Sequence, residues 1–95
     1  MGELTKLPNI AVKLEMQLAD AGITTIEHLK EVGSRKAWLR ILANDPSACI
    51  MRLNSLEGAI QGVRWHYLDA GTKASLKQFY KEHKQSSNEI ITKRF

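Results

Sequence analysis

Cys49, His28, His66 and His83 are the side chains that could act here as nucleophile, base or metal ligand. A nucleophilic cysteine needs a partner base and some exposure. Cys49 stands four residues before Leu53 in an apolar periodicity, which predicts a buried structural thiol. The three histidines fall in separate stretches without His-Glu-x-x-His or comparable ligand spacing. One cysteine excludes an intrachain disulfide and a thiolate zinc cluster. The sequence holds no glycine-rich phosphate loop, no Gly-x-Ser-x-Gly elbow and no acidic cluster suited to magnesium. No catalytic residue, cofactor or metal site is assigned, and the chain reads as a non-enzyme. A small enzyme or ligand binder around His66 and Cys49 is the enzymatic alternative.

Binding chemistry is better represented. Arg64, Trp65, His66 and Tyr67 are consecutive and exceed what packing demands, so they form the candidate surface for another protein. Lys73, Lys77, Lys81 and Lys84 recur at steps of four, four and three. On a helix they share one face, able to meet nucleic acid or an acidic protein, although a solvated outer face looks the same. A third candidate is LPNIA near the start, with Asn9, Ala11 and Lys13. It is similar to the turn of helix-hairpin-helix DNA-binding modules, where glycines let helix-start N–H groups approach a phosphate. Asn9 and Ala11 replace both glycines here, and a tight turn is harder to make without them.

The charge distribution bears on the same question. The net charge is +4, and Met1–Asp45 is neutral, with six bases and six acids. The remainder carries eight bases against four acids, six of the bases at Lys73 or later. An acidic partner is compatible with this excess but not established by it. Ninety-five residues suffice for one domain with a single core. No apolar run is long enough to span a membrane and no signal-peptide layout opens the chain, so a cytoplasmic protein without membrane contact is expected.

The elements that must position these residues are helical. Ile10, Leu14 and Leu18 predict a first helix from Pro8 or Ile10 to Ala21, capped by Asn9. Thr24 with Glu27 forms a capping-box pattern for a second, which Gly33 ends. Ser34 caps a third through Asn44, with Trp38, Leu39, Ile41 and Leu42 inward. Asp45-Pro46 then has the form of a helix start, and Cys49, Leu53, Leu56, Ile60 and Val63 line one stripe of a central helix over about 46–64. Asp69 caps a last helix whose Leu76, Phe79, Tyr80 and His83 share a face. No segment has a convincing strand period. The expectation is an all-α bundle of about five helices, residues 1–84 forming one domain and 85–95 a flexible tail. Ile90, Ile91 and Phe95 in that tail could cover a second subunit, giving a homo-oligomer.

The central stretch also carries a family likeness. DPSACIMRLNSLEGAIQGVRWHYL resembles the signature of the TfoX (Sxy) C-terminal domain, in which a DPSAC start runs through LEGAIQG to RWH. LPNI, AGI followed by threonine, and AWLR at 37–40 match it in order, so the likeness covers about residues 4–83. The resemblance implies a five-helix domain of regulators of natural competence, which act with the cyclic-AMP receptor protein to switch on DNA-uptake genes. In full-length relatives this domain follows a separate N-terminal domain that this sequence lacks. The resemblance therefore implies the fold more strongly than the activity, and maps no site residue. The function expected is a regulatory or adaptor domain acting through protein contacts, with direct nucleic-acid binding as the alternative.

Overall fold

The computed structural model describes the backbone of residues 3–92 and the side chains of residues 3–83. Apolar side chains at helical spacing gather into five α-helices: α1 Val12–Asp20, α2 Ile26–Val32, α3 Ser34–Asn44, α4 Ile50–Gln61 and α5 Ala70–Thr92. Short 3-10 turns at Glu3–Lys6 and Trp65–Tyr67 complete the order, and there is no strand among the described residues. The architecture is the all-α bundle that the periodicities predict. α3 and α4 pack on each other at its centre, α1 and α2 lean on α3, and α5 lies along α4. Leu18, Ile23, Leu29, Trp38, Leu53, Leu56 and Leu76 are fully buried in the shared core. The Trp38 ring meets Phe79 edge-on at 6.1 Å and Tyr80 at 5.6 Å, which fastens α5 to the centre.

Helix ends depart from the sequence expectations at four places. Asn9 does not cap α1. It sits two residues earlier in the left-handed region (φ 70°), and Ala11 occupies the cap position without a side-chain bond. Thr25, not Thr24, caps α2 by accepting from the His28 N–H at 3.0 Å, and Glu3 reaches over to accept from the Ile26 N–H at 2.8 Å. Gly33 precedes α3, while Ser34 is buried and donates its hydroxyl to Glu57 at 2.6 Å, joining α3 to α4.

The fourth departure is the start of the central helix. Asp45 folds its carboxylate back, accepting from the Ser47 N–H at 3.0 Å and hydroxyl at 2.5 Å. Its other oxygen accepts from Arg52 at 2.8 Å and Gln17 at 2.9 Å. Residues 45–48 thus form a turn, the Ala48 N–H reaching the Asp45 carbonyl at 3.0 Å, and α4 begins only at Ile50. Cys49 lies before the helix in extended conformation and is half-buried rather than buried. At the other end, Gly62 adopts φ 79°, and the Val63 and Gly62 N–H groups return to the Gly58 and Ala59 carbonyls at 2.9 and 3.1 Å. This paired closure stops α4 at Gln61 and releases Arg64–Tyr67 into a turn of its own.

Asp69 behaves as expected, bonded to the hydroxyl and N–H of Thr72 in the first turn of α5. The backbone of α5 continues as helix to Thr92. Phe95 and the side chains of Ile90 and Ile91, on which the subunit-contact expectation rests, lie outside the described residues.

Candidate interaction surface

The turn after α4 is held from the opposite end of the chain. The side-chain amide of Asn9 donates to the Val63 carbonyl at 2.9 Å and the Ser55 carbonyl at 3.4 Å, while its oxygen accepts from the Trp65 N–H at 3.2 Å. A left-handed backbone at Asn9 is what turns this amide inward, and asparagine tolerates that conformation better than most residues. Gly58 makes the approach possible. A Cβ there would stand 2.6 Å from Asn9 Nδ2, 2.8 Å from the Val63 oxygen and 3.2 Å from Trp65 Cα. Leu4 and Ile10, both buried, root the N-terminal turn on either side of Asn9, and the Thr5 N–H bonds to buried Glu15 at 3.2 Å.

This clamp presents Arg64–Tyr67 to solvent. Trp65 is half-buried against the core, and His66 stacks on it with ring centres 4.1 Å apart and 24° between planes. Tyr67 meets His66 edge-on at 6.5 Å and is 77% exposed. Arg64 and His66 are exposed as well. The Lys73 ammonium donates to the His66 carbonyl at 2.9 Å, tying the first turn of α5 to the aromatic turn. Lys77 and Lys81 follow on α5, both exposed, and the side chain of Lys84 lies outside the described residues.

Ala11 and Lys13 are exposed at the start of α1, whereas the Asn9 side chain is committed internally. His83 lies on Phe79, ring centres 4.0 Å apart, with Nδ1 at 2.8 Å from the Phe79 carbonyl. The Cys49 carbonyl accepts from the Trp38 indole N–H at 3.1 Å. No three His, Cys, Asp or Glu side chains among the described residues gather to hold a metal ion. A small cavity of about 110 Å³ is lined by Gln17, Asp20, Ile41, Asn44 and Asp45. Of its two acidic members, Asp45 is already paired with Arg52 at 2.8 Å. The Ser47 hydroxyl first, and then Arg52, hold the Asp45 carboxyl well below the usual carboxylate range. The Thr72 hydroxyl lowers that of Asp69 in the same way. No helix of the described residues is long and apolar enough to cross a membrane.

Local pattern reading singled out Arg64–Tyr67 but not the device that holds them. Asn9 looks like an ordinary cap until its distant partners are visible. The available signal was Gly58, a glycine inside an otherwise well-formed helix, which marks a close approach.

The chain belongs to the TfoX C-terminal domain family, whose model matches residues 1–80. Among characterised relatives it is similar to the protein Sxy of Escherichia coli (strain K12), with 30% identity over 76 residues. That match covers 80% of this chain but only 36% of Sxy, so the chain spans about a third of that relative's length. The fold is similar to two crystal structures from Listeria monocytogenes, one of an uncharacterised protein and one of a protein of unknown function. Each has a TM-score of 0.83. Identities are 52% and 51%, with 83% and 84% of this chain and 90% and 98% of those chains covered.

Proposed function

We propose that this domain is a non-enzymatic regulatory or adaptor module that works by contacting another protein, in the setting of transcription regulation. Arg64, Trp65, His66 and Tyr67 form the contact surface. The observation that carries this reading is the Asn9 clamp, which fixes a solvent-facing aromatic turn whose Tyr67 is 77% exposed. Large rings and arginine held rigid at the surface are the residue types that dominate binding energy at protein interfaces. Preorganisation also lowers the ordering cost of association. Similarity to Sxy and to the domain of competence regulators supports the regulatory setting.

The test is affinity capture from nuclease-treated cell extract with the native domain and with an Arg64→Ala/Tyr67→Ala variant. Binding of the recovered protein is then measured with purified components. Removing two anchors should weaken it by at least about thirtyfold. Equal binding by the variant, with native circular dichroism, would sink the reading. Nucleic acid recovered in place of protein when nuclease is omitted would favour the second reading. That reading is direct nucleic-acid binding, supported by the exposed Lys77 and Lys81 beside Lys73.

A further inference from the structure

The aromatic turn and the lysine face are separate features in the sequence, yet they meet in the fold. Lys73 joins them through its 2.9 Å bond to the His66 carbonyl. From there Lys77 and Lys81 follow at four-residue steps, each about 6 Å further along α5 and drifting only about 40° around it. Both are exposed, and neither takes part in an ion pair among the described residues. The nearest acids bond elsewhere: Asp69 accepts from Thr72, and Glu82 accepts from Gln78 at 3.3 Å. One surface therefore runs from Arg64 and Tyr67 at one end to Lys81 at the other.

We infer that the partner is a protein segment with an apolar or aromatic anchor for the Trp65–Tyr67 turn, flanked by acidic residues that face Lys73, Lys77 and Lys81. This rests on the protein-binding reading above and specifies its partner. Arginine, tryptophan and tyrosine suit the desolvated centre of an interface, whereas lysine is depleted there and suits the rim. Rim charges steer encounter and make it salt-dependent. A single nucleic-acid strand fits less well. It is held by successive bases stacking on open ring faces, but one face of His66 is already covered by Trp65 and the Tyr67 ring lies edge-on to His66.

Three probes titrated into 15N-labelled domain test this. They are a synthetic helical peptide with an aromatic anchor turn followed by glutamates at every fourth position, the same peptide with lysines replacing the glutamates, and a short oligothymidylate. The expected result is that the acidic peptide alone shifts the amides of residues 64–67 and 73–81 together. Lys77→Glu/Lys81→Glu should weaken it about tenfold, and added salt should weaken it in the native domain. Shifts confined to 64–67, indifferent to salt and to both lysines, would overturn the acidic-partner inference and leave the protein-binding reading standing. No response to either peptide, or tighter binding of oligothymidylate, would overturn the inference as well.

Discussion

Asn9 Nδ2 lies 2.9 Å from the Val63 carbonyl oxygen, although 54 residues of chain separate the two. The same side chain accepts from the Trp65 N–H, so one amide settles both the exit from α4 and the entry to the aromatic turn. The turn thus depends on a side chain more than fifty residues earlier in the chain.

Replacing Asn9 separates its two contributions. Asn9→Gly keeps the left-handed backbone but removes three hydrogen bonds and leaves partly buried groups unsatisfied, a loss of about 1–3 kcal/mol. Asn9→Ala loses the same bonds and adds the strain of a Cβ at positive φ, so it should be the less stable. Urea denaturation ranks the pair. Trp65, half-buried beside the broken clamp, should become more accessible to an added quencher in both.

Gly58→Ala should destabilise despite alanine's better helix propensity. The propensity gain is about 1 kcal/mol. Against it stands a Cβ at 2.8 Å from a backbone oxygen and 2.6 Å from the clamp amide. Overpacking of this kind costs about 1–3 kcal/mol, and breaking the clamp adds to it. Chemical denaturation gives the sign, and a stability equal to or above native would contradict the close-approach account.

Trp38→Ala should remove much of the domain's stability. The ring is fully buried, touches Phe79 and Tyr80, and donates to the Cys49 carbonyl. Truncations of this kind cost about 3–5 kcal/mol out of a total near 5–15. Trp38→Phe, which keeps an aromatic ring but loses the indole N–H, should fall between the variant and native in melting temperature.

Acid should weaken the fold through Asp45 and Asp69. Both carboxyls are held below the usual range, by Ser47 and Arg52 in one case and Thr72 in the other. Their stabilisation is complete above the unfolded carboxylate value of about 4 and is lost as pH falls through the lower folded values. Asp45→Asn keeps an acceptor for Ser47 but not the charge, so its stability should decline less steeply between about pH 4 and pH 2. Urea midpoints across that range measure the difference.

The helix faces were legible because burial follows local period. Ile10, Leu14, Leu18, Leu53, Leu56 and Leu76 are buried as their spacing predicts. Helix ends were less legible, because a side chain has more than one backbone partner within reach. Asp45 precedes a proline as a helix cap should, yet its carboxylate closes a two-residue turn with Ser47 and pairs with Arg52. Ser34 reads as a cap, but a partner 23 residues away claims its hydroxyl. The surface residues Arg64–Tyr67 stood out by composition alone. Their junction with Lys73 and their dependence on Asn9 come from contacts that no local window contains.

The Asn9 clamp also sets a condition on biosynthesis. Its acceptors at Ser55 and Val63 and its donor at Trp65 are translated long after Asn9 itself, so the aromatic turn cannot be locked until the segment around α4 has emerged. Contacts of such sequence separation carry the loop-closure cost that slows folding. A partner that reads the Trp65–Tyr67 turn would thereby require the N-terminal turn and the end of α4 to have come together first.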